Sequence, residues 1–397
     1  MSSDLMDQER LRELLTREKL LAVVGTSAEH VTYLSGFWAM PQWIRKGPQV
    51  YAVRTAEAKA SCVVLPTSIA DQAADQSLAA EVHRYGFFAY EGEMASAEEA
   101  EDVQLARILQ GPDHRSAAEA LAFGLKRIGV ESGRVALDAE GIAPDERDRL
   151  ESLLPGVAWV NAAPLLRTLR EIKTAPEIER LKRAANITER SIEAALAIAR
   201  EGSTERDLAR AFHARTVAED AVPVLGCIGF GSRSAHPNVD PSSKRRLRAG
   251  DNIRFDVGGR YAQYRADIAR IAAFGKPSSK LKAYHAAVSA GLDRAYEVIR
   301  PGLRAADLFE QVVATVRQSG IPHYRRNHVG HGIGLSGYET PALTPASEDV
   351  LAPGMVMCIE TPYYEVGCFG VQVEDTVVVT ATGVQTLMTT GRELILL

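Results

Sequence analysis

Apolar and polar positions along the chain follow helical spacing in some stretches and strand-like runs in others. Residues 7–19 put Leu11, Leu14 and Leu15 on one helical face with charges opposite. The run Leu20-Leu21-Ala22-Val23-Val24 then reads as a buried strand. Further strands are predicted at 62–65, 82–90 and 135–137, with helices at 100–110, 116–128 and 144–154. That alternation predicts an α/β domain with a mostly buried sheet.

The texture changes near residue 170. Thr174-Ala175-Pro176-Glu177 is a helix start: Thr can cap, Pro is tolerated in the first turn, and Glu closes a capping box. The helix it opens runs to about residue 200, with Ile178, Leu181, Ala185 and Ile192 on one side. Gly202 ends it, and Thr204 with Asp207 begins another. Helices at about 279–299 and 304–318, with strands around 252–273 and 355–379, predict an α+β second half. The reading is therefore two domains, a smaller α/β domain over 1–169 and an α+β domain over 170–397.

Length agrees with that division, since 397 residues exceed one ordinary core. A net charge of −5 and the absence of a long basic run leave no general attraction to nucleic acid. The first ten residues are acidic and polar where a signal peptide would be basic and then apolar, and no apolar run is long enough to span a bilayer. Cys62, Cys227, Cys358 and Cys368 are scattered without CxxC spacing, which predicts free thiols in a reducing compartment, the cytoplasm. Gly-rich phosphate loops are absent.

The candidate chemistry lies in four segments of the second half. Asn252-Ile253-Arg254-Phe255-Asp256-Val257-Gly258-Gly259 and Tyr264-Arg265-Ala266-Asp267-Ile268 read as a hairpin turning near Gly258-Gly259 and Arg260, each strand bringing one carboxylate among apolar neighbours. One Asp in a turn and one paired with Arg265 or Arg270 is the plainer alternative. In His328-Val329-Gly330-His331-Gly332-Ile333-Gly334 the glycines let backbone and ligand approach His331 closely. Glu360 in Cys358-Ile359-Glu360-Thr361-Pro362 and Glu374 in Val371-Gln372-Val373-Glu374-Asp375 sit within apolar strand patterns, where lone glutamates are rare. Four carboxylates and an imidazole suit two divalent ions such as Mn²⁺, with water completing the shell.

Read in order, Asp256, Asp267 eleven positions later, Gly330-His331-Gly332-Ile333-Gly334, Glu360, and Glu374 followed by Asp375 resemble the creatinase, aminopeptidase P and prolidase metallopeptidases. The resemblance runs from about residue 170 to the end. It implies a pita-bread catalytic domain behind a smaller α/β domain. It also implies two divalent ions, Mn²⁺ first, with Co²⁺, Zn²⁺ or Fe²⁺ as alternatives. Asp256 would chelate one, Asp267 and Glu374 would bridge both, and His331 with Glu360 would complete the other. Glu360 would also move a proton toward the leaving nitrogen. The family often forms homodimers, and the loop at 37–44, with Phe37, Trp38 and Trp43, is either a wall of a partner's site or a loop packed under its own sheet.

Three positions depart from the family pattern. His236, in Ala235-His236-Pro237, lies about three residues farther from Asp256 than usual, and either reaches the site from a longer loop, the expected reading, or caps a turn. Tyr338 replaces a histidine that helps hold the transition state, and its hydroxyl can still donate. Gln372 replaces an arginine, losing charge and fork geometry. Catalytic metal chemistry with an altered substrate pocket is the expectation: hydrolysis of an amide in a Xaa-Pro or similar small peptide, with ordinary Xaa-Pro dipeptides cleaved poorly. The alternatives are metal-dependent hydrolysis of a small non-peptide amide, in the manner of creatinase or ectoine hydrolase, and a binding module on the same fold.

Overall fold

The computed structural model describes residues 5–44, 47–57, 61–78, 80–91 and 99–397. The chain's start at residues 1–4 lies outside the described residues. The chain divides into two compact units, Met1–Arg170 and Glu171–Leu397.

In the first unit, β1 (Ala22–Gly25), β2 (Tyr51–Thr55), β3 (Ser61–Pro66), β4 (Glu81–Tyr85), β5 (Asp113–His114), β6 (Gly133–Leu137) and β7 (Val157–Asn161) form one sheet in the order β5-β4-β3-β2-β1-β6-β7. The β1–β2 and β2–β3 pairs are antiparallel and the others parallel. Helices Ala117–Arg127 and Pro144–Leu153 cover one face, with Leu121, Leu125 and Leu150 against Val24, Val53, Val64 and Val135. The first helix, Gln8–Glu18, buries Leu11, Leu14 and Leu15 as its spacing predicts. The strand expected over 82–90 stops at Tyr85. In the aromatic loop Phe37 is buried within its own unit, while Trp38 and Trp43 are half-buried.

The second unit contributes β8 (Val222–Phe230), β9 (Asn252–Tyr261), β10 (Tyr264–Arg265), β11 (Ile268–Ala273), β12 (Gly330–Gly332), β13 (Glu339–Ala342), β14 (Val356–Glu360), β15 (Tyr363–Glu365), β16 (Phe369–Val371), β17 (Glu374–Val379), β18 (Val384–Thr386) and β19 (Ile395–Leu396). The central path is β10-β9-β11-β17-β14-β12-β13, with β8 on β9, and β15 pairs with β16 apart from it. Period-two alternation positions the chemistry. Ile253, Phe255 and Val257 of β9 face helices Ala175–Ala197 and Glu205–Val217. Met357, Ile359, Val371, Val373, Val377 and Val379 belong to the core under helices Ser279–Val298 and Ala305–Gln318. The intervening positions, 254 and 256, 358 and 360, and 372 and 374, therefore project from the opposite face.

The hairpin turn differs from expectation. Gly258 and Gly259 remain inside β9, held by pairing with Leu225 and Pro223 of β8. The chain reverses at Ala262 and Gln263, whose φ values are 45° and 74°. Asp267 consequently lies in the link between β10 and β11, and Ala269 is the residue opposite Asp256. At the start of helix Ala175–Ala197, Glu177 Oε2 accepts from the Thr174 N–H at 2.8 Å, and its Oε1 accepts from Tyr264 OH at 2.9 Å. One capping residue thus ties the helix to the hairpin beside the centre.

Candidate metal centre

Pairing of β9, β11, β17, β14 and β12 draws the candidate residues together. Glu374 stands opposite both Ala269 and Glu360, and His331 stands opposite Cys358. Gly330 and Gly332 make the last pairing achievable: a Cβ on Gly330 would lie 2.1 Å from Cys358 O, and one on Gly332 2.1 Å from Thr340 O. Any larger residue would push β12 off its neighbours.

Ligand-type atoms of Asp256, Asp267 and Glu374 lie within 4.8 Å of one another, as do those of His331, Cys358 and Glu374. His331 Nε2 is 3.9 Å from Asp267 Oδ2. Its Nδ1 lies 3.0 Å from the Gly332 carbonyl, which can only accept, so Nδ1 carries the proton and the Nε2 lone pair faces the carboxylates. Glu360 belongs to neither close group. Its Oε1 is 3.1 Å from His328 Nδ1, and its Oε2 accepts from Gln372 Nε2 at 3.3 Å. Tyr338 is 68% exposed, and its ring stacks on His331 with centroids 3.8 Å apart. The adjacent Glu339 anchors that loop through a buried ion pair with Lys173 Nζ at 2.9 Å. His236 is exposed; its carbonyl oxygen, rather than its ring, joins the network by accepting from Arg254 Nη2 at 2.7 Å.

Arg254, Arg326, His328 and Cys358 were not singled out from the sequence. Arg254 is fully buried, and Nη1 donates to Asp256 Oδ2 at 2.9 Å and to Gln372 Oε1 at 2.8 Å. A neutral side chain at 372 therefore does not leave this wall uncharged. The available signal was spacing: Arg254 is two residues before Asp256, on the same face of one strand. Arg326 lies over the Tyr364 ring, and its charge acts on both Glu360 and Asp256.

The electrostatics are those of a crowded buried carboxylate cluster. Burial, then repulsion from Asp256 and Glu360, pushes Asp267 well above the usual carboxylate range. Burial and the charges of Asp267 and Glu360 do the same to Glu374. Asp256 is raised by burial against the opposing pull of Arg254. Burial pushes Glu360 up to about 7 and His331 down to about 4. Such a group must either hold protons or share a cation. The unmet valences point to the cation: Asp267 Oδ1, Glu374 Oε1 and His331 Nε2 are buried without a hydrogen-bond partner among the described residues. Oxygen and imidazole donors fit divalent ions of the Mn²⁺ to Zn²⁺ class.

Comparison with known proteins identifies the family. The model of metallopeptidase family M24 matches residues 179–381, and that of the creatinase/prolidase N-terminal domain matches residues 8–172. A Xaa-Pro dipeptidase of Pyrococcus furiosus is 34% identical over 238 residues, covering 58% of this chain and 67% of that protein. The X-Pro aminopeptidase of Thermotoga maritima superposes with a TM-score of 0.79 at 23% identity, over 98% of this chain and 99% of that one. The prolidase of Pyrococcus horikoshii superposes with a TM-score of 0.78 at 24% identity and the same coverage. The chain belongs to metallopeptidase family M24, the creatinase, aminopeptidase P and prolidase group, and is a hydrolase whose catalytic domain has the pita-bread fold.

Proposed function

We propose that this chain hydrolyses an amide bond in a small peptide of the Xaa-Pro type, at a centre of two divalent ions held by Asp256, Asp267, His331, Glu360 and Glu374 within residues 170–397. The observation that carries the reading is the convergence of three buried, unpartnered ligand atoms, Asp267 Oδ1, Glu374 Oε1 and His331 Nε2. Mn²⁺ is the first choice because carboxylates dominate the set. When bound, the ions supply Lewis acidity to the carbonyl under attack and lower the pKa of a water. The protein supplies the rest. Arg254 orients Asp256, and Gln372 Nε2 spans Glu360 and Glu374, 3.3 Å from each. Glu360, with Oε1 3.1 Å from His328 Nδ1 and Oε2 3.3 Å from Gln372 Nε2, would be the carboxylate that takes up and returns a proton. Arg326, whose charge acts on Glu360 and Asp256, would meet the carboxylate end of a dipeptide, and Tyr338, stacked on His331, and His236 would flank the substrate. The free thiols suit a reducing compartment, the cytoplasm, and among the described residues no helix is long and apolar enough to cross a membrane.

Hydrolysis of a small non-peptide amide is the second reading. It is favoured by Arg254, whose Nη1 and Nη2 donate to Asp256, Gln372 and the carbonyls of His236 and Pro237, so that this guanidinium already has partners within the protein. Metal analysis of the chelator-treated and Mn²⁺-reloaded full chain, beside a panel of Xaa-Pro dipeptides and small N-acyl and cyclic amides, decides between them. Two ions per chain and slow cleavage of the dipeptides are expected; cleavage of the non-peptide amides alone moves the assignment to the second reading. A chain that binds no metal refutes both.

A further inference from the structure

The two close groups of ligand atoms differ in chemistry and share Glu374. Asp256, Asp267 and Glu374 offer only oxygen; His331, Cys358 and Glu374 offer nitrogen, sulfur and oxygen. Cys358 is on the centre's face of β14, between His331 of β12 and Thr376 of β17. Its thiol is fully buried, donates a weak hydrogen bond to Asp267 O at 3.7 Å and shares another with Thr376 Oγ1 at 3.6 Å, partners a metal ion would have to displace. Two neighbours are unsatisfied: His331 Nε2 and Glu374 Oε1 are buried and without partners among the described residues. Donors to one ion stand up to roughly 4–4.5 Å apart, twice a Zn–N, Zn–O or Zn–S bond. Small side-chain rotations therefore close a group whose atoms already lie within 4.8 Å.

We infer that Cys358 is a metal ligand, and that the two ions of the centre are of different classes. The oxygen-only group takes a hard ion of the Mn²⁺ class, and the His331–Cys358–Glu374 group, with Glu360 as its further oxygen donor, takes a borderline, thiophilic ion of the Zn²⁺, Co²⁺ or Cd²⁺ class. The inference rests on the two-ion reading above. On binding, the sulfur–metal bond forms as the thiol proton leaves to solvent, with no change of oxidation state. Thiolate selects softer ions while carboxylate selects harder ones, so sequential loading should sort Mn²⁺ and Cd²⁺ between the two groups.

The test titrates the metal-free full chain with Cd²⁺ in the presence of Mn²⁺, reading sulfur-to-cadmium charge transfer in the ultraviolet and metal content together. One Cd²⁺ and one Mn²⁺ per chain are expected, with a charge-transfer band that Cys358→Ser abolishes and Cys227→Ser leaves intact. Cys358→Ser should also weaken Cd²⁺ binding at least tenfold while Mn²⁺ binding stays within twofold. Should that variant fail to fold, X-ray absorption of the Cys227→Ser chain loaded with one equivalent of Zn²⁺ decides, through a sulfur neighbour at about 2.3 Å. Two bound ions without sulfur ligation overturn the role of Cys358 and leave the two-ion centre standing. Failure to bind two ions overturns both.

Discussion

Arg254 Nη1 sits 2.8 Å from Gln372 Oε1, so one buried guanidinium links β9 to the residue just after β16 across the centre. Tyr364 OH also donates to that Oε1, at 3.1 Å, which leaves the amide nitrogen of Gln372 to face Glu360 and Glu374. The orientation of this amide is thereby fixed: its oxygen meets donors and its nitrogen meets carboxylates.

The pairing makes a charge-exchange prediction. Gln372→Arg would set a second guanidinium against Arg254, and Arg254→Gln would strip Asp256 of its charged partner. Each single change should lower kcat/KM and Mn²⁺ affinity about ten- to a hundredfold, the equivalent of roughly 1.5–3 kcal/mol for one charge-assisted hydrogen bond. The double exchange, Arg254→Gln with Gln372→Arg, should recover most of the loss because one guanidinium again spans the pair. Isothermal titration and steady-state kinetics on all four proteins form a double-mutant cycle, and simple additivity would contradict the coupling.

The raised carboxylates give the metal-free protein a characteristic pH dependence. A carboxyl whose folded pKa is raised contributes stability below its unfolded pKa and loses it as pH rises through the folded value. For Glu360, moved from 4.5 to about 7, that window runs between those two values, and Asp267 and Glu374 shift in the same direction. The Glu360 shift alone corresponds to a change on the order of 3 kcal/mol. Denaturant melts of the chelator-treated chain should therefore show stability falling between about pH 5 and pH 8. Saturating Mn²⁺ should flatten the slope, since a cation replaces the protons. A metal-free chain that grows more stable across this range would contradict the buried cluster.

Much of this centre was legible because strand alternation exposes buried charge: Asp256, Glu360 and Glu374 stand out among apolar neighbours at every second position. The long helices were legible for a similar reason, and the Thr174 to Glu177 start is reinforced by the Tyr264 contact. What spacing hides is who stands opposite whom. Gln372 alone reads as a lost charge, and only the register of β9 against its neighbours reveals Arg254 beside it. The strand β8 lies outside the predicted elements: Pro223, Gly226 and Gly229 interrupt its strand pattern, although an edge strand tolerates Pro where its N–H faces away from the ladder. The hairpin turn was misplaced because Gly258-Gly259 suggests a reversal that β8 pairing overrides.

The first unit offers a prediction independent of the metals. Asp138 Oδ2 lies 2.6 Å from His30 Nδ1 and accepts the N–H groups of Thr26 and Ser27 at 3.1 and 2.9 Å, joining the β6 end to the helix at Ala28–Ser35. Burial opposes ionisation of Asp138, but the His30 bond and backbone donors hold its pKa below the ordinary range. A depressed carboxylate contributes stability above its unfolded pKa of about 3.9 and loses it as pH falls further. Asp138→Asn should cost about 2–3 kcal/mol at pH 7 through lost charge-assisted bonds. The difference from wild type should shrink below about pH 4. Limited proteolysis with the cuts located by mass spectrometry should show faster nicking between residues 5 and 170. Unchanged cleavage there would remove this constellation from the stabilising contacts.

Arg326 bears directly on substrate choice. Gln372 suggests a poor grip on the terminal carboxylate of a Xaa-Pro dipeptide, and Arg254 cannot supply it while its Nη1 and Nη2 atoms serve Asp256, Gln372 and two carbonyls. The Arg326 guanidinium, with its Cζ 5.9 Å from the Tyr364 ring centroid, is close enough to lower the pKa of both Glu360 and Asp256. Its Nε makes one 3.4 Å contact with His328 O, which leaves the two terminal nitrogens able to form a bidentate pair with a carboxylate. Arg326→Gln should raise KM for Xaa-Pro dipeptides about tenfold or more, with a smaller change in kcat, because a contact to a remote group is present in ground and transition states alike. The same substitution should leave cleavage of the corresponding Xaa-Pro amides, which lack the carboxylate, nearly unchanged. Equal losses on acid and amide would show that Arg326 acts on the carboxylate cluster of the centre and does not read the substrate's terminus.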